Sequence, residues 1–208
     1  MKILRFVLII VCMFSAHSVS ADCNLLTKSN YAKTDGNKAI VIYGANWGRQ
    51  WRCARFDNAQ LQRLVFSRID PVTGNLARDS IVLQASVELL AENVSRPKAI
   101  IVNPGRYALT GFDIRAAKSA RDAGHIKGNS KELFTDGKPS GGTFEVSAGE
   151  IVYIGDFGLD CAEQPIPWRF YIQKEDFSRF VADFKSRYPF LADRDILYRL
   201  FETSTFGQ

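Results

Sequence analysis

The feature that most constrains the fold of this chain is a proline-glycine turn between two runs of strand-forming residues. Pro104 presets φ at the first central position of the turn, and Gly105 accepts the positive φ that the second position of a type II turn demands. Residues 98–102 (KAIIV) are β-branched and apolar, and residues 106–112 (RYALTGF) alternate between two faces. This pattern predicts a β-hairpin.

The same order of strand, turn and strand recurs downstream. Residues 143–147 (TFEVS) alternate, Ala148 and Gly149 form a turn, and residues 150–157 (EIVYIGDF) read as a long strand, which predicts a second hairpin. Other segments with strand character are residues 39–43, 61–69 and 168–172, while residues 81–90 fit a helix or a strand.

The apolar residues near the C-terminus follow the period of a helix instead of that of a strand. Phe177, Phe180, Val181 and Phe184 form one stripe of an amphipathic helix, and a second short helix is predicted over residues 193–201. The stripe could pack against the protein's own sheet, or it could bind a membrane or a partner.

Many short strands followed by helices predict a mainly β protein, a single β-sandwich with C-terminal amphipathic helices. We expect four segments: a signal peptide (residues 1–21), an N-terminal tail (22–37), the β-sandwich domain (38–173) and a C-terminal helical appendage (174–208).

The N-terminus predicts export. Lys2 and Arg5 precede an unbroken apolar run at residues 6–14, and Val19 and Ala21 occupy the positions that a signal peptidase reads. The run is far shorter than the roughly 20 apolar residues of a membrane-spanning helix. We expect cleavage after Ala21 and no transmembrane segment in the mature chain, with a periplasmic location and an extracellular one as the alternative.

The charge balance argues against a nucleic-acid partner. The formal net charge is +5, and removing Lys2 and Arg5 with the signal lowers it to +3. A protein this mildly basic, working outside the cytoplasm, is not expected to bind nucleic acid.

The cysteines predict one disulfide. Cys23, Cys53 and Cys161 remain after signal cleavage, and an odd number in an oxidising compartment implies one bridge and one free thiol. The sequence leaves all three pairings open. No CxxC or HxxxH spacing is present, so neither a metal site nor a cofactor is predicted.

The chain carries no catalytic motif that would assign an active site. His125 is the only histidine of the mature chain, and it lies in a segment with loop composition. Asp156 and Asp160 could lie near each other as a carboxylate pair, or they could simply end a strand. No Walker, GxGxxG or GxSxG motif occurs, so we assign no catalytic residue.

Two tryptophans beside arginines are candidate binding residues. Trp47 and Trp51 stand near Arg49 and Arg52, and exposed tryptophans beside cations can stack on sugar rings or hold an anionic ligand. The alternative is that one tryptophan closes the end of the sandwich while the arginines remain in water.

A long polar segment is the other candidate. Residues 115–142 contain five glycines and six lysines or arginines, which predicts a mobile cationic loop. Such a loop could meet an anionic lipid, a cell-wall polymer or an acidic partner, with Lys118, Arg121 and Lys127 as the binding residues. A solvated spacer without a partner is the alternative.

Two segments carry a family resemblance. Residues 103–109 (NPGRYAL) and 144–156 (FEVSAGEIVYIGD) resemble turn-and-strand motifs of uncharacterised exported bacterial envelope proteins, many of which are lipoproteins. The resemblance spans about residues 38–160. It implies a prealbumin-like or immunoglobulin-like β-sandwich in the bacterial envelope. The lipid-accepting cysteine of the lipoproteins is not found here, and the group transfers no catalytic residue.

These observations favour an exported, non-enzymatic envelope module, binding or structural, whose partner is an envelope protein, a glycan or an anionic surface. The alternative is a hydrolase acting on cell-wall or secreted substrate. A third hypothesis is a subunit of a larger secretion or surface complex.

Overall fold

The computed structural model describes residues 25–85, 97–134 and 136–207. The expected signal peptide and Cys23 lie outside the described residues, as does the second half of the ambiguous segment at residues 81–90.

The described chain is mainly β, as predicted. Its strands are β1 (Ala39–Ala45), β2 (Gln50–Cys53), β3 (Phe56–Ile69), β4 (Leu76–Gln84), β5 (Lys98–Val102), β6 (Gly105–Ala117), β7 (Ala123–Gly128), β8 (Thr143–Val146), β9 (Ile151–Asp160), β10 (Ile166–Phe170) and β11 (Leu197–Tyr198). Its helices are α1 (Lys28–Ala32), α2 (Ser130–Leu133) and α3 (Phe177–Arg187), with a 3-10 turn at Pro189–Leu191.

The strands form two sheets. Sheet A has the order β10-β9-β1-β5, with β11 also beside β9; β9 runs parallel to β1 and β11 and antiparallel to β10. In sheet B the two long strands β3 and β6 lie antiparallel at the centre. Strands β2 and β4 flank β3, and β7 and β8 flank β6.

Both predicted hairpins are wrong. Strand β5 pairs with β1 in sheet A, whereas β6 pairs with β3 in sheet B, so the turn at Pro104 and Gly105 carries the chain from one sheet to the other. Likewise β8 pairs with β6 and β9 with β1. Gly105 does adopt a positive φ of 143°. Turn chemistry permits the change of direction, but it does not select the strand with which the next segment pairs.

Facing side chains of the two sheets share one hydrophobic cluster, which we call the central cluster. Phe66 of β3 lies near its middle. The Phe66 ring centroid is 5.5 Å from that of Phe144, 5.6 Å from that of Phe157 and 5.7 Å from that of Phe201. These four rings belong to β3, β8, β9 and the C-terminal segment, so aromatic contacts connect the sheets to each other and to the end of the chain.

A second hydrophobic layer covers part of the other side of sheet A. Phe180 and Phe184 of α3 are buried there, with the Phe180 ring centroid 4.9 Å from that of Tyr153. The apolar stripe of the helix therefore packs against the protein's own sheet, one of the alternatives drawn from the sequence. Residues 22–37, expected as a tail, include α1, and Leu26 is buried in this layer.

The predicted second helix over residues 193–201 is wrong, because this segment is extended and its β11 pairs with β9. Ile196, Tyr198 and Leu200 contact the α3 layer, whereas Leu197 and Phe201 contact the central cluster. The apolar residues of this segment therefore fit a strand whose two faces are both buried, and they fit a helical period equally well. Residues 174–208, expected as a helical appendage, contribute to the central cluster.

The predicted loop at residues 115–142 is also wrong. Strand β6 continues to Ala117, and β7 returns antiparallel to it from Ala123 to Gly128. Asn129 then caps α2 by a capping box with Glu132. The glycines led to the prediction of a loop, but β7 is a strand whose Ile126 packs on the central cluster. Four of the six cations of this segment are therefore held on the β6–β7 hairpin, whereas Lys131 lies in α2 and Lys138 follows that helix.

Candidate functional site

Strand pairing aligns four residues in a row across one end of sheet B. Trp51 lies opposite Asn58, Asn58 opposite Ala117, and Ala117 opposite Ala123. Directly opposed residues of a sheet share a face. Ala116, the next residue along β6, belongs to the central cluster, so the row containing Trp51 faces away from the core.

Six exposed cations surround this row. Arg63 lies opposite Asp113, and Arg115 lies opposite His125 on the neighbouring strand. Together with Trp51 we call these cations the cationic face: Arg49, Arg63, Arg115, Lys118, Arg121 and Lys127. The acidic side chains among them are Asp113 in β6 and Asp122 in the turn.

The structure brings three residues selected from the sequence to this face. Lys118 and Arg121 lie in the β6–β7 turn, where the Lys118 N–H donates to the Asp122 carbonyl at 2.9 Å. The Ser119 hydroxyl oxygen accepts from the Arg121 N–H at 3.3 Å. Lys127 lies on β7, with its Nζ 3.6 Å from an Asp113 carboxylate oxygen. A hydrogen-bonded turn and a strand therefore fix the spacing of these cations.

The two tryptophans have opposite environments. Trp47 is 3% exposed and belongs to the central cluster, whereas Trp51 is 67% exposed. The Trp47 carbonyl accepts from Gln60 Nε2 at 2.6 Å. The Arg49 guanidinium carbon lies 5.4 Å from the centre of the Trp51 ring, within cation–π range. Only Trp51 is thus accessible to a ligand.

Backbone geometry explains why Trp51 faces outward while Cys53 does not. Residues two apart share a face in a regular strand. Arg52 lies between them at a φ of 56°, and Ala54 follows at 51°, both in the left-handed region that non-glycine residues seldom adopt. The turned backbone directs Cys53 into the core, where it forms a disulfide with Cys161 at the end of β9. The disulfide therefore ties the Trp51 strand to sheet A.

His125 pairs with a carboxylate on this face. Its Nδ1 lies 2.6 Å from Asp113 Oδ1, and half of the histidine side chain is exposed while that of Asp113 is mostly covered. This arrangement orients an imidazole as in a catalytic base. Within the described part of the chain, no hydroxyl or thiol hydrogen-bonds to His125, so the pair there comes without a nucleophile.

A buried acidic pair lies on sheet A instead. The Tyr153 hydroxyl donates to Asp156 Oδ2 at 2.8 Å and accepts from the Ile172 N–H at 3.2 Å. Burial raises the pKa of Asp156, and hydrogen bonds from Tyr153 and from the Gly44 N–H offset part of that rise. Burial also raises the pKa of Tyr153.

Asp156→Asn is expected to gain stability relative to the wild type as the pH rises. A carboxyl whose pKa is higher in the folded state binds its proton more tightly there, so wild-type stability falls as the pH increases from about 4 through the folded pKa. Asparagine carries no charge and removes that fall. Urea unfolding between pH 4 and pH 8 should show the two curves separating as the pH rises.

Tyr153→Phe tests the same pair by removing the partner of Asp156. It removes the hydroxyl that donates to the Asp156 carboxylate, so it should steepen the loss of stability with pH. Parallel stability curves for the wild type and Asp156→Asn across this range would contradict the assignment.

The sequence did not single out several of these positions. Arg63 and Asp113 belong to the cationic face because β3 and β6 place them opposite each other, which only the register shows. Trp168 and Phe170 share one face of β10, and their spacing of two on an edge strand was a signal available in the sequence.

No family model, curated protein or solved structure matches the chain. Among the described residues, no helix has the length and apolar character needed to cross a bilayer.

Proposed function

We propose that this protein is an exported, non-enzymatic binding module of the bacterial envelope that holds an anionic glycan on its cationic face. The two sheets form a β-sandwich in this proposal, and the location is periplasmic, with an extracellular one as the alternative. The export signal predicted at residues 1–21 and the resemblance of residues 38–160 to envelope proteins support the location.

One observation carries the proposal. The pairing of Trp51 with Asn58, and of Asn58 with Ala117, places the exposed tryptophan at the same end of sheet B as the tip of the β6–β7 hairpin, with β3 between them. Without that register, Trp51 and Lys118 would be unrelated surface residues 67 positions apart in the chain. With it, an aromatic ring and six cations share one surface.

The chemistry of the face favours a charged sugar polymer. Asn58 lies next to Trp51 in the row, and Ala117, which is buried, and Ala123 follow on the next two strands. These short side chains leave room for a sugar ring to stack against the indole. The cations attract carboxylate, sulfate or phosphate groups along the polymer. A membrane surface would call for several projecting apolar side chains, and Trp51 is the exposed large apolar residue described on this face.

A hydrolase is the second candidate, and the His125–Asp113 pair is the observation that favours it. The pair supplies a base and the carboxylate that orients it. In the proposed module, His125 is a polar group beside Arg115 that can donate to a sugar hydroxyl.

Dextran sulfate and uncharged dextran form a matched pair of probes. We expect the protein to bind dextran sulfate and not dextran, with affinity falling as salt shortens the Debye length below about 8 Å. Changing Lys118, Arg121 and Lys127 together to glutamine should weaken binding about tenfold or more, since each cation contributes on the order of 0.5–1 kcal/mol. Trp51→Ala should weaken it about twofold to tenfold through lost stacking.

The control changes the net charge equally on another surface. Lys28 begins α1, Lys33 is its C-cap and Lys174 precedes α3, so changing all three to glutamine leaves the cationic face intact. Equal weakening by the two triple variants would show that net charge alone governs binding and would overturn the proposal. Binding to anionic phosphatidylglycerol vesicles without binding to dextran sulfate would also overturn it, in favour of a lipid surface.

A further inference from the structure

Alternate residues of β9 and β10 meet on the side of sheet A away from the central cluster. Trp168 lies opposite Gly158, and Phe170 lies opposite Asp156. Phe157 and Leu159 of β9 belong to the central cluster, so the residues between and beyond them face the other way. Two aromatic and two acidic side chains, Asp156 and Asp160, therefore surround a glycine.

Gly158 leaves a depression in this surface. A Cβ there would lie 3.0 Å from Phe170 Cε2, so the Phe170 ring lies over the bare backbone. A cavity of about 280 Å³ opens beside it, lined by Leu159, Asp160, Cys161, Trp168 and Phe170, and we call it the Gly158 cavity. Phe170 is 48% exposed although α3 covers the neighbouring half of the sheet.

The charge of the Gly158 cavity is negative. One Asp160 carboxylate oxygen accepts from the Ala162 N–H at 2.8 Å, and no described cation forms an ion pair with this carboxylate. Arg169 lies between the two aromatic residues in sequence, but its Nη1 donates to the Phe201 carbonyl at 2.8 Å, on the side of the central cluster.

We infer that the Gly158 cavity binds an organic cation, an ammonium group that carries apolar carbon. The faces of Trp168 and Phe170 attract a positive charge through the ring quadrupole, and their apolar surface suits alkyl groups on nitrogen. Asp160 supplies the opposite charge. This site is on the sheet opposite the cationic face and does not depend on the proposed function.

Choline and 3,3-dimethyl-1-butanol test the inference, since they have the same shape and differ in charge. Titration into ¹⁵N-labelled protein should shift the Trp168 indole N–H in a saturable way with choline, the three indole signals being assigned by Trp→Phe variants. The neutral alcohol should bind about tenfold or more weakly, because it lacks the cation–π and ion-pair attraction.

Variants separate the site from general surface charge. Asp160→Asn should weaken choline binding about fivefold to tenfold, and Phe170→Ala should weaken it by a similar factor. Glu163→Gln removes the same charge three residues from Asp160, at an exposed position outside the cavity lining, and should leave binding unchanged.

Dispersed amide spectra of the variants show that the fold is retained. Equal binding of choline and the neutral alcohol, or equal loss in Asp160→Asn and Glu163→Gln, would overturn the inference. Shifts confined to the cationic face, or no saturable shift at all, would do the same. Binding of glucose as strong as that of choline would reassign the cavity to a sugar.

Discussion

Phe201→Ala is expected to lower the free energy of unfolding by about 3–5 kcal/mol, the usual cost of removing a fully buried phenylalanine. Phe201 is 1% exposed, and its ring centroid lies 5.7 Å from that of Phe66 in sheet B and 5.8 Å from that of Phe157 in sheet A. Its loss would leave a cavity where the two sheets and the C-terminal segment meet. Urea unfolding followed by circular dichroism measures the effect.

Phe170→Ala is the matched control, because the same atoms are removed from a side chain that is 48% exposed. We expect it to cost less than about 1.5 kcal/mol, since less apolar area leaves contact with protein. The C-terminal segment should also be hard to displace, because Glu202 and Thr143 exchange two backbone hydrogen bonds of 2.7 Å. A loss in Phe201→Ala no greater than in Phe170→Ala would contradict the packing described.

Removing the Cys53–Cys161 disulfide by a double change to alanine should destabilise the protein by about 3–5 kcal/mol. The bridge joins residues 108 positions apart, and closing a loop of this length removes much conformational freedom from the unfolded chain. The bridge also restrains a hairpin in which Arg52 and Ala54 hold left-handed backbone conformations. We therefore expect Trp51 to become more mobile in the double variant and binding of dextran sulfate to weaken.

Cys23→Ser is the control for this change. The sequence predicts one free thiol without saying which, and the Cys53–Cys161 bridge leaves Cys23 for that role. Its replacement should therefore leave stability unchanged and lower the thiol count of the unreduced, denatured mature protein from one to zero. Three thiols in the unreduced wild-type protein, or unchanged stability after loss of Cys53 and Cys161, would contradict the disulfide assignment.

Strand positions were predictable from the sequence because β-branched and alternating residues mark them locally. Residues 39–43 and 61–69 fall within β1 and β3. Strand partners were not predictable, since the two turns that predicted hairpins connect different sheets instead. The helical prediction over residues 193–201 was wrong because both faces of that segment are apolar. A strand that is buried on both faces lacks the alternation of apolar and polar residues by which a strand is recognised.

The candidate site was likewise predictable in its residue types but not in their arrangement. Trp51, Lys118, Arg121 and Lys127 were selected from residue type, but nothing local in the sequence shows that they share a face. Their proximity depends on the pairing of Asn58 with Ala117, which joins segments far apart in the chain. The outward direction of Trp51 and the inward direction of Cys53 were likewise set by two left-handed residues whose identities, arginine and alanine, do not favour that conformation.

Titration of ¹⁵N-labelled mature protein with dextran sulfate tests the central claim most directly, because it locates the bound polymer. We predict saturable shifts at the Trp51 indole and at the amides of Ala117, Ala123, His125 and Lys127, with uncharged dextran giving none. The same signals should return toward their free positions as salt is added. Shifts spread evenly over both sheets, or confined to α3 and sheet A, would contradict the proposal that the cationic face is the binding site.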